Sequence, residues 1–188
     1  MAKIYLFRHG QTTYNRDHIF TGFKDAPLTS LGKKQADYIA KLLKNTRLDL
    51  AYVSRLTRSV DTLKPVLATH PEIKKVITDD RMIERNYGNL SGHSHRQIID
   101  KYGQEKFDLW HRSYRLSPPN GESFADVEVR VGDFIKDLKA KYAGKDLNIA
   151  ISAHGNSIRL FRKIMEKATI SATVSWTIPY DQIFEYEI

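Results

Sequence analysis

The sequence predicts a three-layer α/β/α sandwich around a mostly parallel central sheet. Three observations carry that prediction. Short apolar runs alternate with stretches of helical spacing along the whole chain. The chain has 188 residues, the length of a single domain. Two of the apolar runs end in a His-Gly pair, and open α/β sheets hold ligands at the carboxyl ends of their strands.

The elements follow in order. Ile4 to Phe7 is a short apolar run, ended by Arg8-His9-Gly10, and reads as a buried strand. Leu31, Ala36, Ile39, Leu42 and Leu43 keep helical spacing, with Thr29 or Ser30 as the cap. Leu50 to Val53 is a second strand. Leu56, Val60, Leu63 and Leu67 form the next helical stripe, and Pro65 within it predicts a kink. Val76-Ile77 is a third strand. Residues 84–121 hold four glycines and two prolines and read as loops around short helices, forming a cap over a site in one domain spanning 1–188. Phe124, Val127, Val131, Phe134, Ile135, Leu138 and Tyr142 then keep one face apolar through several turns. Ser123 with Asp126 is the capping pair and Gly144 the stop. Leu147 to Ile151 is a strong strand, followed by His154-Gly155 and a helix through Ile158, Phe161, Ile164 and Met165. Ile183 to Ile188 is the last strand.

Composition narrows the function. Apolar residues make up 41% and charged residues 28%, which excludes a disordered chain, a collagen and a disulfide scaffold. The formal charge of +8 favours an anionic partner. The lysines and arginines are spread over helix faces with no dense basic arm, so a small phosphorylated substrate is expected rather than nucleic acid. Cysteine is absent, which removes a thiol nucleophile and Cys-based zinc sites and agrees with a reducing compartment. No apolar run is long enough for a signal segment or a bilayer span, so a cytoplasmic protein away from membranes is expected. Nothing in the sequence specifies an oligomeric state.

The chemistry concentrates in the repeated strand–His–Gly context. A single loop histidine is usually structural. Two of them at strand ends, His9 beside Arg8 and His154 before Gly155 and Asn156, can meet in one pocket. The glycine after each is expected to let the backbone approach an oxyanion, and the helix after His154 to aim N–H groups at it. Arg8, Asn15, Arg58 and Asn156 follow strands or open helices and supply phosphate-binding groups. Glu84 lies in a loop close to Gly88. Alone it would be a salt-bridged surface residue, but burial would favour the protonated form that a general acid needs. His93-Ser94-His95 is the one metal-ligand-like pair. It lacks nearby carboxylates or cysteines in sequence, so no metal is assigned.

Leu6-Phe7-Arg8-His9-Gly10-Gln11-Thr12-Thr13-Tyr14-Asn15 resembles the signature of the histidine phosphatase superfamily. More narrowly, the chain resembles the cofactor-dependent phosphoglycerate mutases. The similarity continues through Phe20 to Asp25, Ser54 to Ser59, Glu84 to Gly92, His111 to Tyr114, Pro118 to Ser123 and Ala153 to Arg159, and ends near Glu187. The resemblance implies a phosphoglycerate mutase-like fold and an enzyme whose His9 becomes phosphohistidine. It implies that Arg8, Arg58, His154 and Gly155 bind the transferring phosphoryl group, with Asn15 and Asn156 assisting. Glu84 would donate and accept the proton. Thr21, Gly22, Tyr87, His95, His111 and Arg112 would hold the rest of the substrate. The implied reaction interconverts 3-phosphoglycerate and 2-phosphoglycerate, primed by 2,3-bisphosphoglycerate. The alternative is phosphatase action through the same intermediate. Two arginines and a protonated second histidine would supply the charge that a metal supplies elsewhere, so no metal is expected.

The chain departs from the family pattern at named positions. The family carries Lys where His95 falls and Arg where His111 falls, so two permanent cations become groups expected to titrate near neutrality. The segment between Tyr114 and Glu122 is short, as in small members of the family. A chain ending at Ile188 is expected to leave the pocket more open to water, which would favour hydrolysis of phosphohistidine.

Overall fold

The computed structural model describes residues 1–188. Five strands form one sheet: β1 (Lys3–Arg8), β2 (Leu50–Val53), β3 (Val76–Thr78), β4 (Asn148–Ala153) and β5 (Ile183–Glu187). Their spatial order is β3-β2-β4-β1-β5, parallel except for β5, which runs antiparallel beside β1. The eight helices are α1 (Thr13–Arg16), α2 (Ser30–Leu43), α3 (Thr57–Thr69), α4 (His95–Tyr102), α5 (Gln104–Arg112), α6 (Phe124–Tyr142), α7 (Gly155–Glu166) and α8 (Ile170–Ser175).

The central strands are apolar throughout because both of their faces are covered. Successive residues alternate between two cores. Ile4, Leu6, Tyr52, Ile149 and Ile151 pack with Phe134, Leu138 and Phe161 under α6 and α7. Tyr5, Phe7, Ala51, Val53 and Ala150 pack with Ile39, Leu43, Leu63 and Val66 under α2 and α3. Full burial of each such aliphatic or aromatic side chain contributes about 1.5–3 kcal/mol. A one-residue slip of β1 would exchange the two cores, so the hydrophobic pattern fixes the strand register.

The helix ends follow the sequence signals. The Thr29 hydroxyl accepts the Gly32 N–H at 3.0 Å and caps α2. Ser123 and Asp126 close a capping box on α6. That helix stops before Gly144, which has a φ of +76°. Pro65 does not end its helix. It lies inside α3, which continues to Thr69, and the missing N–H costs one intrahelical bond without ending the helix.

Gly10 serves another purpose than the expected approach to an oxyanion. A Cβ on Gly10 would stand 2.2 Å from the Gly32 carbonyl oxygen, and one on Gly32 would stand 2.0 Å from that of Gln11. The loop after β1 therefore lies against the first turn of α2, backbone on backbone. The Gly10 N–H donates to the Thr62 hydroxyl at 3.0 Å and is not free for an anion.

This packing predicts an order of stabilities. Gly10→Ala is expected to destabilise by more than about 2 kcal/mol, because relief requires moving α2. Gly144→Ala meets nothing within 4 Å of the added methyl and bears only the left-handed backbone cost, about 1 kcal/mol. Urea unfolding of both variants checks this order, and equal losses would contradict the close approach.

Candidate active site

The site arises where two neighbouring strands part company. The chain leaves β1 toward α2 on one face of the sheet and leaves β4 toward α7 on the other. A crevice opens between their carboxyl ends, the switch point at which such sheets bind ligands. The register pairs Arg8 with Ala153, so the next residues, His9 and His154, emerge side by side. The His9 N–H donates to the Ala153 carbonyl at 2.9 Å. The imidazole centroids are 5.1 Å apart, with planes inclined by 57°.

His9 is buried, and its Nδ1 lies 2.7 Å from the Gly10 carbonyl oxygen. A carbonyl only accepts, so Nδ1 carries the proton and Nε2 keeps its lone pair. Burial, and then the charges of Arg58 and Arg8, hold the imidazole pKa well below its ordinary range. His9 therefore presents a neutral imidazole whose Nε2 lone pair is free.

His154 is fully buried, with Nε2 2.7 Å from the Ser54 hydroxyl. The Ser54 oxygen also accepts the Leu56 N–H, so its own hydrogen can go to Nε2 and leave Nδ1 as a donor. Burial, followed by Arg58 and His9, pushes the His154 pKa well down. The expected protonated histidine is thus neutral in the free protein. The positive charge beside these histidines comes from the arginines.

Arg58 is fully buried at the first turn of α3. It donates to the Gly22 and Lys24 carbonyls, each at 2.8 Å. Its nearest carboxylate, Asp25, is 3.7 Å away. Arg8 donates to the Ile178 carbonyl at 2.7 Å and lies over the Tyr180 ring. Arg8 Nε, Arg58 Nε and His154 Nδ1 are buried without a hydrogen-bond partner. Unpaired buried donors are rare and costly. Three such donors near the His9 imidazole could receive the oxygens of a tetrahedral anion.

Glu84 is buried on the other side of His9. One carboxyl oxygen, Oε1, accepts the Arg85 and Asn156 N–H groups at 2.8 and 3.1 Å. Oε2 has no hydrogen-bond partner within the protein. Arg130 fixes this loop from behind, donating to the carbonyls of Arg81, Ile83 and Glu84 while it pairs with Glu122 at 2.9 Å. A ligand atom from each of His9, Glu84 and His154 lies within 4.8 Å of the others. That is a possible donor set for a cation, but Arg8 and Arg58 set two positive charges beside it.

A cleft of about 470 Å³ leads outward from these groups. Arg8, Asn15, Thr21, Glu84, Tyr87, His95, His111, Arg112, Gly155 and Asn156 line it, which brings the expected positions together. Asn15 uses its side-chain oxygen to cap α1 through Thr12, leaving its amide nitrogen. The Asn156 amide donates to the Tyr87 hydroxyl at 3.0 Å. Gly22 enters through its carbonyl on Arg58 and a φ of +54°. His111 does not titrate near neutrality as expected, and His95 is shifted in the same direction. Burial, with His18 and Arg112, lowers the His95 pKa, and burial, with Arg112 and His95, takes His111 to about 3. A groove of about 1040 Å³ between α2 and α3 is larger, but its lining holds neither histidine nor arginine.

Sequence reasoning passed over Arg159, His18, Tyr180 and Ser54. Arg159 lines the cleft and donates to the Asn156 side-chain oxygen and the Trp176 carbonyl. Its i, i+3 spacing from Asn156 on α7 was the available signal. Arg85 is fully buried and donates to the carbonyls of Trp110, His111 and Glu122. It ties the last turn of α5 to the Glu84 loop.

Comparison with known proteins agrees with this geometry. The profile of the histidine phosphatase superfamily (branch 1) matches residues 4–188. A 2,3-bisphosphoglycerate-dependent phosphoglycerate mutase of Bartonella henselae is 37% identical over 164 residues, covering 86% of this chain and 80% of the relative. Bacillus stearothermophilus YhfR superposes with a TM-score of 0.89 at 24% identity, covering 100% of this chain and 92% of that one, a likeness of fold. The mycobacterial glucosyl-3-phosphoglycerate phosphatase superposes with a TM-score of 0.81 at 26% identity, covering 92% and 83%. No helix of the structure is long and apolar enough to cross a membrane.

The buried histidines set a pH dependence. His9, His154 and His111 are held below the ordinary imidazole range in the fold, so the unfolded chain binds more protons below about pH 6.5. Their contribution to stability is complete above that pH and is lost as pH falls through it. The thermal midpoint is expected to drop between pH 7.5 and 5, and His111→Phe to flatten the dependence. Inorganic phosphate should raise the midpoint in the wild type but not in Arg58→Gln. A midpoint that is flat or rises on acidification would contradict the neutral assignment.

Proposed function

The chain belongs to the histidine phosphatase superfamily, and from that premise we propose that it hydrolyses a small phosphomonoester through phospho-His9, without a metal ion. Arg8, Arg58 and His154 hold the phosphoryl oxygens. The N-terminus of α7 adds its partial positive charge. Nε2 of His9 attacks phosphorus in line, forming the N–P bond as the P–O bond to the alcohol breaks. Glu84 gives the proton on Oε2 to the leaving alkoxide. It then takes a proton from the water that attacks phospho-His9, releasing inorganic phosphate and restoring the free imidazole. The positive charge that a metal would bring is already carried by two guanidinium groups.

The choice of water as acceptor rests on His95 and His111. A mutase must retain a doubly anionic intermediate while it turns over in the site. His95 and His111, whose pKa values burial lowers, stand where the mutase pattern that the chain resembles has Lys and Arg, so retention is weakened. The second reading is a 2,3-bisphosphoglycerate-dependent mutase that interconverts 3-phosphoglycerate and 2-phosphoglycerate. The Bartonella henselae relative's name favours it, as does Arg112, an exposed cation at the cleft that makes no ion pair. Incubation with 3-phosphoglycerate, following 2-phosphoglycerate and inorganic phosphate together, separates the two. Phosphate is expected to exceed 2-phosphoglycerate with or without 2,3-bisphosphoglycerate. A larger, primer-dependent yield of 2-phosphoglycerate would establish the mutase instead. Replacing His95 with Lys and His111 with Arg is expected to raise the mutase-to-phosphatase ratio.

Proton donation by Glu84 has its own signature. Glu84→Gln should slow an alkyl phosphate by about 10²–10⁴-fold. p-Nitrophenyl phosphate, whose leaving group needs little protonation, should lose far less. Equal losses would assign Glu84 a structural role. EDTA is expected to leave both rates unchanged, and inhibition reversed by a divalent ion would contradict the metal-independent mechanism.

A further inference from the structure

The outer cleft indicates which alcohol the phosphoryl group is attached to, an inference that rests on the phosphoryl-binding role given to the inner site above. Its walls carry the rings of Tyr14, His18, Phe20, His95, His111 and Tyr180. His95 is the centre of this cluster, with ring centroids 4.5 Å from Phe20, 5.2 Å from Phe107 and 5.2 Å from His111. His111 meets Phe20 edge-on at 5.5 Å and Phe107 at 5.1 Å. Phe20 and Phe107 are buried in the small core of the cap with Tyr87, Leu90 and Ile98, so the two imidazoles lie on a rigid apolar support.

The strands of backbone beneath them are tied together. The His95 N–H donates to the His18 carbonyl at 2.9 Å, and the Phe20 N–H to the His93 carbonyl at 3.0 Å. The ring nitrogens of His95 and His111 make no hydrogen bond within the protein, so both can meet heteroatoms of a ligand. The cations nearby do not compensate for the two histidines as a carboxylate site. Arg159 is engaged by Asn156 and Trp176. Arg112 stands at the rim, where a guanidinium stacks on a planar group as readily as it pairs with an anion. The cleft's volume of about 470 Å³ lies in the range that encloses ligands of drug size.

We propose that this cleft selects phosphomonoesters whose alcohol carries a flat, uncharged aromatic or heteroaromatic group, seated against His95 and His111, over phosphorylated hydroxy acids. Aromatic pairing at these rings supplies the preference, and a carboxylate would meet only Arg112 at the rim and Arg159, whose donors already serve Asn156 and Trp176.

Calorimetric titration with two phosphonates tests this without any transfer step, because the C–P bond is not cleaved. Benzylphosphonate is expected to bind the wild-type protein about fivefold or more tightly than 3-phosphonopropanoate at pH 7.5. His95→Lys with His111→Arg should reverse the order. His95→Lys alone, at a half-buried position, should narrow it and serves if the double variant does not fold. His95→Phe, which keeps the ring, should retain the preference. Equal or tighter binding of the carboxylated phosphonate, no binding of benzylphosphonate, or an unchanged preference in a folded Lys variant would overturn the inference. Tight benzylphosphonate binding by a protein that releases no phosphate from benzyl phosphate would support this inference and overturn the hydrolytic reading alone.

Discussion

The parallel pairing of β1 with β4 is the constraint on which the rest of the site depends. Its register sets Arg8 opposite Ala153 and so delivers His9 and His154 to one point. That register is held by period-two burial on both faces, not by the histidines themselves. Because the chain leaves the two strands toward opposite faces, no crossover covers the point where they end. His9 and His154 thus sit at the ends of two buried inner strands, while α4 and α5 of the cap contribute to the outer cleft.

Electrostatically, the site is arranged for a charge that the protein does not supply. Arg58 is buried with no carboxylate closer than 3.7 Å, and its own pKa is pulled down by burial. The same burial and the same arginines keep His9 and His154 neutral. A phosphoryl group entering this environment meets two guanidinium groups and unpartnered donors that need no rearrangement, which is the condition for strong electrostatic stabilisation. Neutrality of His9 leaves Nε2 available for attack. For His154 it means that positive charge, where required, can follow the anion instead of preceding it. The low pKa of His111 extends this logic outward, with the opposite result for a carboxylated substrate.

Much of this was legible in the sequence because it lies in local pattern. The strands and the long α6 carry clear periodicity, Ser123 and Asp126 announce the cap, and the two His-Gly pairs mark the sheet edge. Arg58 and Glu84 were within reach through the resemblance. The remainder depends on contacts between segments distant in sequence. Gly10 is a glycine because of Gly32, which only packing reveals. The antiparallel direction of β5 leaves no mark on a five-residue strand. Helices α4 and α5 are short and polar, with Gly103 between them and one buried residue each, so few apolar positions mark them. The lowered pKa values of His95 and His111 belong to their surroundings and not to the residue type, and the sequence does not show that burial. Arg85 and Arg130 read as surface cations until their carbonyl partners come together.

A covalent bond between His9 and phosphorus is the most direct consequence of the proposed mechanism. Rapid acid-free quenching of the protein with a ³²P-labelled phosphomonoester, followed by peptide mapping, measures it. Label is expected on the peptide containing His9, stable to alkali and lost in acid, formed and discharged at rates no slower than turnover, and absent from His9→Ala. Turnover that proceeds with no labelled peptide, or with undiminished rate in His9→Ala, would contradict the central claim.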